Sequence, residues 1–134
     1  MNLKNNICNP KHFFINSGTF KKEILISINQ SNETINKVLL KHFSQDQINK
    51  SDILNTSCAK VAIFYDNGYL IARFVNLNKN IALSAPVIAH EAFHITEFLF
   101  DKIGITYHID FSSEAFSYQI EYYVNQIIKN ITKS

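Results

Sequence analysis

In VIAHEAFHITEFLFDKIGI, residues 87–105, two histidines stand four positions apart with a glutamate directly after the first. On a helix that spacing sets His90 and His94 on one face, with Cβ atoms about 5–6 Å apart. Phe93, Phe98, Leu99 and Phe100 give the same segment an apolar side with which to pack on a sheet. Ser84 followed by Pro86 is a helix-opening pair, and Gly104 is a C-terminal stop preceded by Lys102, a cation where the helix dipole favours one. The pattern predicts one helix from Ser84 to about Ile103.

On the C-terminal side, a second long helix is predicted from Ser112 or Ser113 to the end of the sequence, with Phe116, Ile120, Tyr123, Val124, Ile127 and Ile128 on its apolar face. On the N-terminal side, AKVAIFYDNGYLIARFV at 59–75 reads as two strands joined at Asn67 and Gly68, a pair suited to a type I′ turn because both positions need positive φ. IAL at 81–83 reads as a short strand. EILISIN at 23–29 has the β-branched content of a strand, and Ser31 caps a helix carrying Ile35, Val38, Leu39 and Phe43 at helical spacing. Residues 44–57 read as a polar linker. Residues 1–22, rich in Lys and Asn and broken by Pro10 and Gly18, read as a loosely ordered arm. The expected class is α+β: a single domain over 23–134 with a small, mostly antiparallel sheet containing the hairpin 60–75, one N-terminal helix and two C-terminal helices.

A length of 134 residues suits one domain with a substantial core. The formal charge of +2 comes from dispersed lysines and leaves no basic stripe for nucleic acid. No apolar run reaches the roughly 18 residues of a membrane span. With two cysteines and a polar opening MNLKNNICNP, the expectation is a reduced, cytoplasmic setting with no nucleic-acid or membrane partner. Oligomeric state is open.

The imidazoles of His90 and His94 can converge on one zinc ion, which takes such nitrogens at about 2.0–2.1 Å. Glu91 is rotated about 100° from His90, close enough to reach a metal-activated water as general base yet turned away from ligation. Glu114 lies 20 positions after His94, in the first turn of the second helix. A helix end roughly 14 Å beyond His94 and the connection 104–112 can return it beneath the imidazoles as a third ligand. Glu97 and Asp101 continue the histidine face, either as carboxylates bonded to a ligand imidazole or as solvated charges. Glu121 is a weaker substitute ligand. The plain alternative for all of these is a solvated helix face with an ion pair or two.

HEAFH followed after 19 residues by Glu114 resembles the gluzincins, the thermolysin-like zinc metallopeptidases. The resemblance implies zinc held by His90, His94 and Glu114, Glu91 as general base, and a peptide or protein substrate, which in zincins adds as an extended strand to a sheet edge above the metal helix. Tyr69 to Val75, or its hairpin partner, is the candidate edge. A wider stretch, VIAHEAFHITEFLFDKIGI through SSEAFSYQIEYYVNQI, is similar to small metallopeptidase-like proteins of tailed phages and prophages, implying a host cytoplasm or virion location. Larger thermolysin-like enzymes have an aspartate four residues after the ligand glutamate, where this chain has Tyr118. With no second domain to close a cleft, His108 or Tyr107 in the connecting loop, or Tyr118 or Tyr122, would stabilise the transition state. His108 also reads as an ordinary loop histidine, and Cys8 either as a thiolate switch on the zinc or as an unremarkable thiol. The rival function is a noncatalytic phage protein in which zinc pins the two helices.

Overall fold

The computed structural model describes residues 6–18, 22–64 and 69–132. Among these, four strands and four helices follow in the order β1 (Lys11–Asn16), β2 (Glu23–Ile28), α1 (Asn32–Leu40), α2 (Gln45–Ser51), β3 (Ala59–Phe64), β4 (Tyr69–Phe74), α3 (Ile81–Lys102) and α4 (Ser113–Ile131). The class is α+β, and the sheet is mixed, with spatial order β1-β2-β4-β3. β1 and β3 run antiparallel to their neighbours, while β2 and β4 are parallel at the centre, Ile26 opposite Ala72.

Period-2 alternation sorts the two faces. Ile24, Ile26, Ile28, Leu70, Ala72 and Phe74 point to one side, where Ile88, Ala92, Ile95 and Leu99 of α3 and Tyr123 and Ile127 of α4 complete the larger core. Leu25, Ile71, Ala62 and Phe64 point to the other, covered by Ile35 and Leu39 of α1 and Ile48 of α2. The central strands are buried on both faces and so are almost uniformly apolar. Ser27 and Arg73 are the buried polar exceptions: the Ser27 hydroxyl donates to the Gln30 side chain, and Arg73, on the α1–α2 side, donates to the carbonyls of Ile53, Leu54 and Gln30.

Three expectations need correction. Residues 11–16, placed in a loosely ordered arm, form edge strand β1. Lys11 donates to the Asn130 carbonyl and the buried Tyr123 hydroxyl to that of Ser17, so α4 clamps a segment whose apolar run Phe13–Phe14–Ile15 hides its alternation. The segment 44–57 is not all linker. Ser44 and Gln47 form a capping box that starts α2 and raises the helix count from three to four. Residues 81–83 are the first turn of α3, not a strand, because Asn80 accepts from the amide of Ala82 and caps the helix earlier than Ser84. Ser84 is buried instead, its hydroxyl donating to the Asn78 carbonyl, and Pro86 stands on the exposed side of the helix. The hairpin is present with Phe64 opposite Tyr69, while its expected turn at Asn67–Gly68 lies outside the described residues.

α3 stops as expected. Gly104 at φ +78 places the amide of Ile105 on the Phe100 carbonyl (2.9 Å) and its own on that of Asp101 (3.0 Å). Among the described residues no helix is long and apolar enough to cross a membrane.

Candidate metal centre

α3 packs against β3, the terminal strand of the sheet among the described residues, and turns His90, Glu91 and His94 toward it. Burial of Ile88, Ala92, Ile95 and Leu99 fixes the rotation of the helix, so the histidines fall at the margin of the packed face. Glu91 is carried further in and is 4% exposed. With Ala59, Lys60, Val61 and Phe98 these three side chains line a cavity of about 310 Å³.

The Nε2 atoms of the two imidazoles lie 3.2 Å apart. Two zinc–nitrogen bonds of about 2.0–2.1 Å at a tetrahedral angle hold their nitrogens roughly 3.3 Å apart, so the pair fits two adjacent positions around one ion. Nδ1 of His94 lies 2.8 Å from Oε1 of Glu97. Nδ1–H donates there, and in the neutral ring Nε2 then keeps its lone pair, the tautomer a metal requires. Of the two roles open to Glu97, the structure places it on the imidazole.

Glu91 carries the strongest electrostatic anomaly of the site. Burial pushes its carboxyl up from the ordinary range, against the opposing pull of the His94 and His90 imidazoles. Its Oε2 is buried without a hydrogen-bond partner. An orphaned carboxylate oxygen beside two convergent imidazole nitrogens costs stability and is expected where a ligand or reaction uses it.

The third expected ligand is not brought to this pair. Among the described residues no group of three or more His, Cys, Asp or Glu side chains is disposed to hold a metal ion. Phe116 is the reason: it is buried against Phe100 and Tyr107, at ring-centroid distances of 4.7 and 5.3 Å, and sets the rotation of the first turn of α4. Glu114, two positions earlier, is about 200° around the helix and exposed.

His108 does not line this cavity. Its carbonyl receives the amides of Phe111, Ser112 and Ser113, and its Nδ1 that of Asp110, so it organises the α3–α4 loop. Tyr118 is 68% exposed. Cys8 is buried in the larger core, where desolvation raises its thiol and disfavours thiolate. Phe98, expected as plain core, is half-buried and lines this cavity. The candidate edge proves to be β3, since β4 is interior; strand order is a nonlocal property that the hairpin sequence does not carry.

No protein-family model, curated protein or solved structure matches the chain.

Proposed function

We propose that this protein is a zinc-dependent metallopeptidase that hydrolyses a peptide or related amide bond at the β3 margin of α3. The observation that carries the reading is the convergence of the His90 and His94 Nε2 atoms at 3.2 Å beside the buried, unpartnered Glu91 carboxylate. His90 and His94 would hold the ion. When bound, zinc supplies Lewis acidity that polarises a carbonyl and lowers the pKa of water towards 7.

The remaining work falls to the chain. Glu97 keeps the His94 ring in the ligating tautomer. Glu91, more basic than an exposed carboxylate because it is desolvated, accepts the proton of the attacking water and returns it to the leaving amine. Among the described residues β3 is the terminal strand, and an extended peptide can add along its outer side as a further strand.

Zinc analysis of the purified protein, with turnover of a mixed peptide library before and after chelation, tests the proposal. Near-stoichiometric zinc and chelator-sensitive cleavage are expected; protein that never takes up zinc overturns it.

A second reading rests on the outward position of Glu114. A zinc bound by the two histidines alone would serve as a noncatalytic stabiliser in a phage structural or host-interaction protein. That reading requires zinc removal to lower the melting temperature while no amide substrate is cleaved.

A further inference from the structure

Beyond the histidines, α3 and β3 border a second cavity of about 350 Å³, lined by Ile63 of β3, Phe98 of α3, Phe116 of α4, and Ile105 and Tyr107 of the α3–α4 loop. Phe98 borders both cavities, which lie next to one another along α3. The walls are mainly apolar, with the Glu97 and Asp101 carboxylates and the Lys102 ammonium contributed by α3. Such a hollow accepts an aromatic or large aliphatic group.

β3 relates the two cavities by a fixed distance. Val61 borders the histidine cavity and Ile63 the apolar one. They are two residues apart and on the same face of the strand, and a strand paired with β3 repeats that spacing, about 6.8 Å for antiparallel pairing. A substrate residue opposite Val61, with its carbonyl toward the imidazoles, therefore has the residue opposite Ile63 two positions away, with its side chain over the apolar cavity.

Chain direction decides which side. β3 runs from the histidine cavity toward the apolar one, and its existing neighbour β4 is antiparallel to it. Antiparallel addition is the more stable pairing, and it places the apolar cavity on the N-terminal side of the scissile bond. We infer that the substrate is a protein or peptide segment recognised by an aromatic or large aliphatic residue two positions before the residue whose carbonyl is attacked. The inference rests on the hydrolase reading for the location of the scissile bond.

The test walks a single Phe through an otherwise Ala-, Ser- and Lys-containing peptide. Cleavage sites are mapped by mass spectrometry with the wild-type protein. Binding of the same peptides, fluorescein-labelled, is followed by anisotropy with the metal-free Glu91→Gln variant. Cleavage is expected after the second residue following Phe, with kcat/KM at least about tenfold above the all-Ala control. Tyr107→Ala, an exposed loop substitution, is expected to reduce that preference severalfold in both cleavage and binding.

Cleavage without positional preference, or with Phe selected on the C-terminal side, overturns the inference and leaves the hydrolase reading standing. Phe-dependent binding that Tyr107→Ala weakens, with no cleavage of any peptide, keeps the apolar cavity as a recognition site and overturns the hydrolase. Loss of Phe-dependence in neither assay on Tyr107→Ala and Ile63→Ala overturns the assignment of the cavity.

Discussion

The Nδ1 atom of His94 is held 2.8 Å from the Glu97 carboxylate, one turn further along α3, and this single contact points the opposite nitrogen of the ring at His90. Removing it leaves both imidazoles in place but frees the ring and its tautomer. Glu97→Gln is expected to lower zinc affinity about 10- to 100-fold, measured by competition with a chromogenic chelator. An unchanged affinity would mean that the contact orients nothing.

Glu91→Gln is expected to cut peptide turnover by about a hundredfold or more while zinc is retained. The same change removes a desolvated carboxylate with an orphaned oxygen, so the metal-free variant should melt no lower than wild type. Turnover within a few fold of wild type, or a marked drop in melting temperature, would assign Glu91 a structural role instead.

His90→Ala and Glu114→Ala discriminate between the motif and the fold. The first is expected to weaken zinc binding by about a hundredfold or more. The second is expected to leave affinity within about threefold of wild type, since the burial of Phe116 turns residue 114 outward. A Glu114→Ala loss matching that of His90→Ala would show that the first turn of α4 rotates inward when the ion binds.

Lys60 lines the histidine cavity, and its ammonium also bonds the Asp52 carboxylate at 2.8 Å. That hydrogen bond and charge hold the Asp52 carboxyl below its ordinary value. A depressed carboxyl stabilises the fold fully above its unfolded value of about 3.9 and loses that contribution as pH falls through the folded one. Denaturant titrations should therefore show a shallower acid loss of stability in Lys60→Met than in wild type below about pH 4. Parallel curves would mean that the pair has no energetic coupling.

Asn29, at φ +54, joins three parts of the chain: its side chain donates to the carbonyls of Cys8 and Leu77 and accepts from the amide of Leu77. Asn29→Ala should cost about 2–3 kcal/mol in chemical denaturation, from lost hydrogen bonds and left-handed strain. Asn29→Gly should recover about 1 kcal/mol of that by relieving the strain alone. Equal stabilities for the two variants would remove strain from the account.

Local patterns were enough for the elements that rest on short-range physics. The hairpin, the helix capped by Ser31, the stop at Gly104 and the shared face of His90 and His94 each follow from contacts within a few residues, and each is present in the fold. The helix pair also follows from its apolar period. β1 was not legible, because it is held by α4 across more than a hundred positions, whereas α2 carried a local signal, the Ser44–Gln47 capping box, in a short polar segment whose only deeply buried residue is Ile48.

Spacing along the chain brought Glu114 within reach of the histidines but could not orient it. Which way a helix turns about its own axis is set by the side chain that packs best, and here Phe116 decides it. The same holds for the edge strand: the hairpin sequence makes β3 and β4 equivalent, and only the parallel pairing of β2 with β4 leaves β3 at the margin beside α3. Chemistry was written in residue types a few positions apart, whereas its surroundings arose from burial between segments that are distant in the chain.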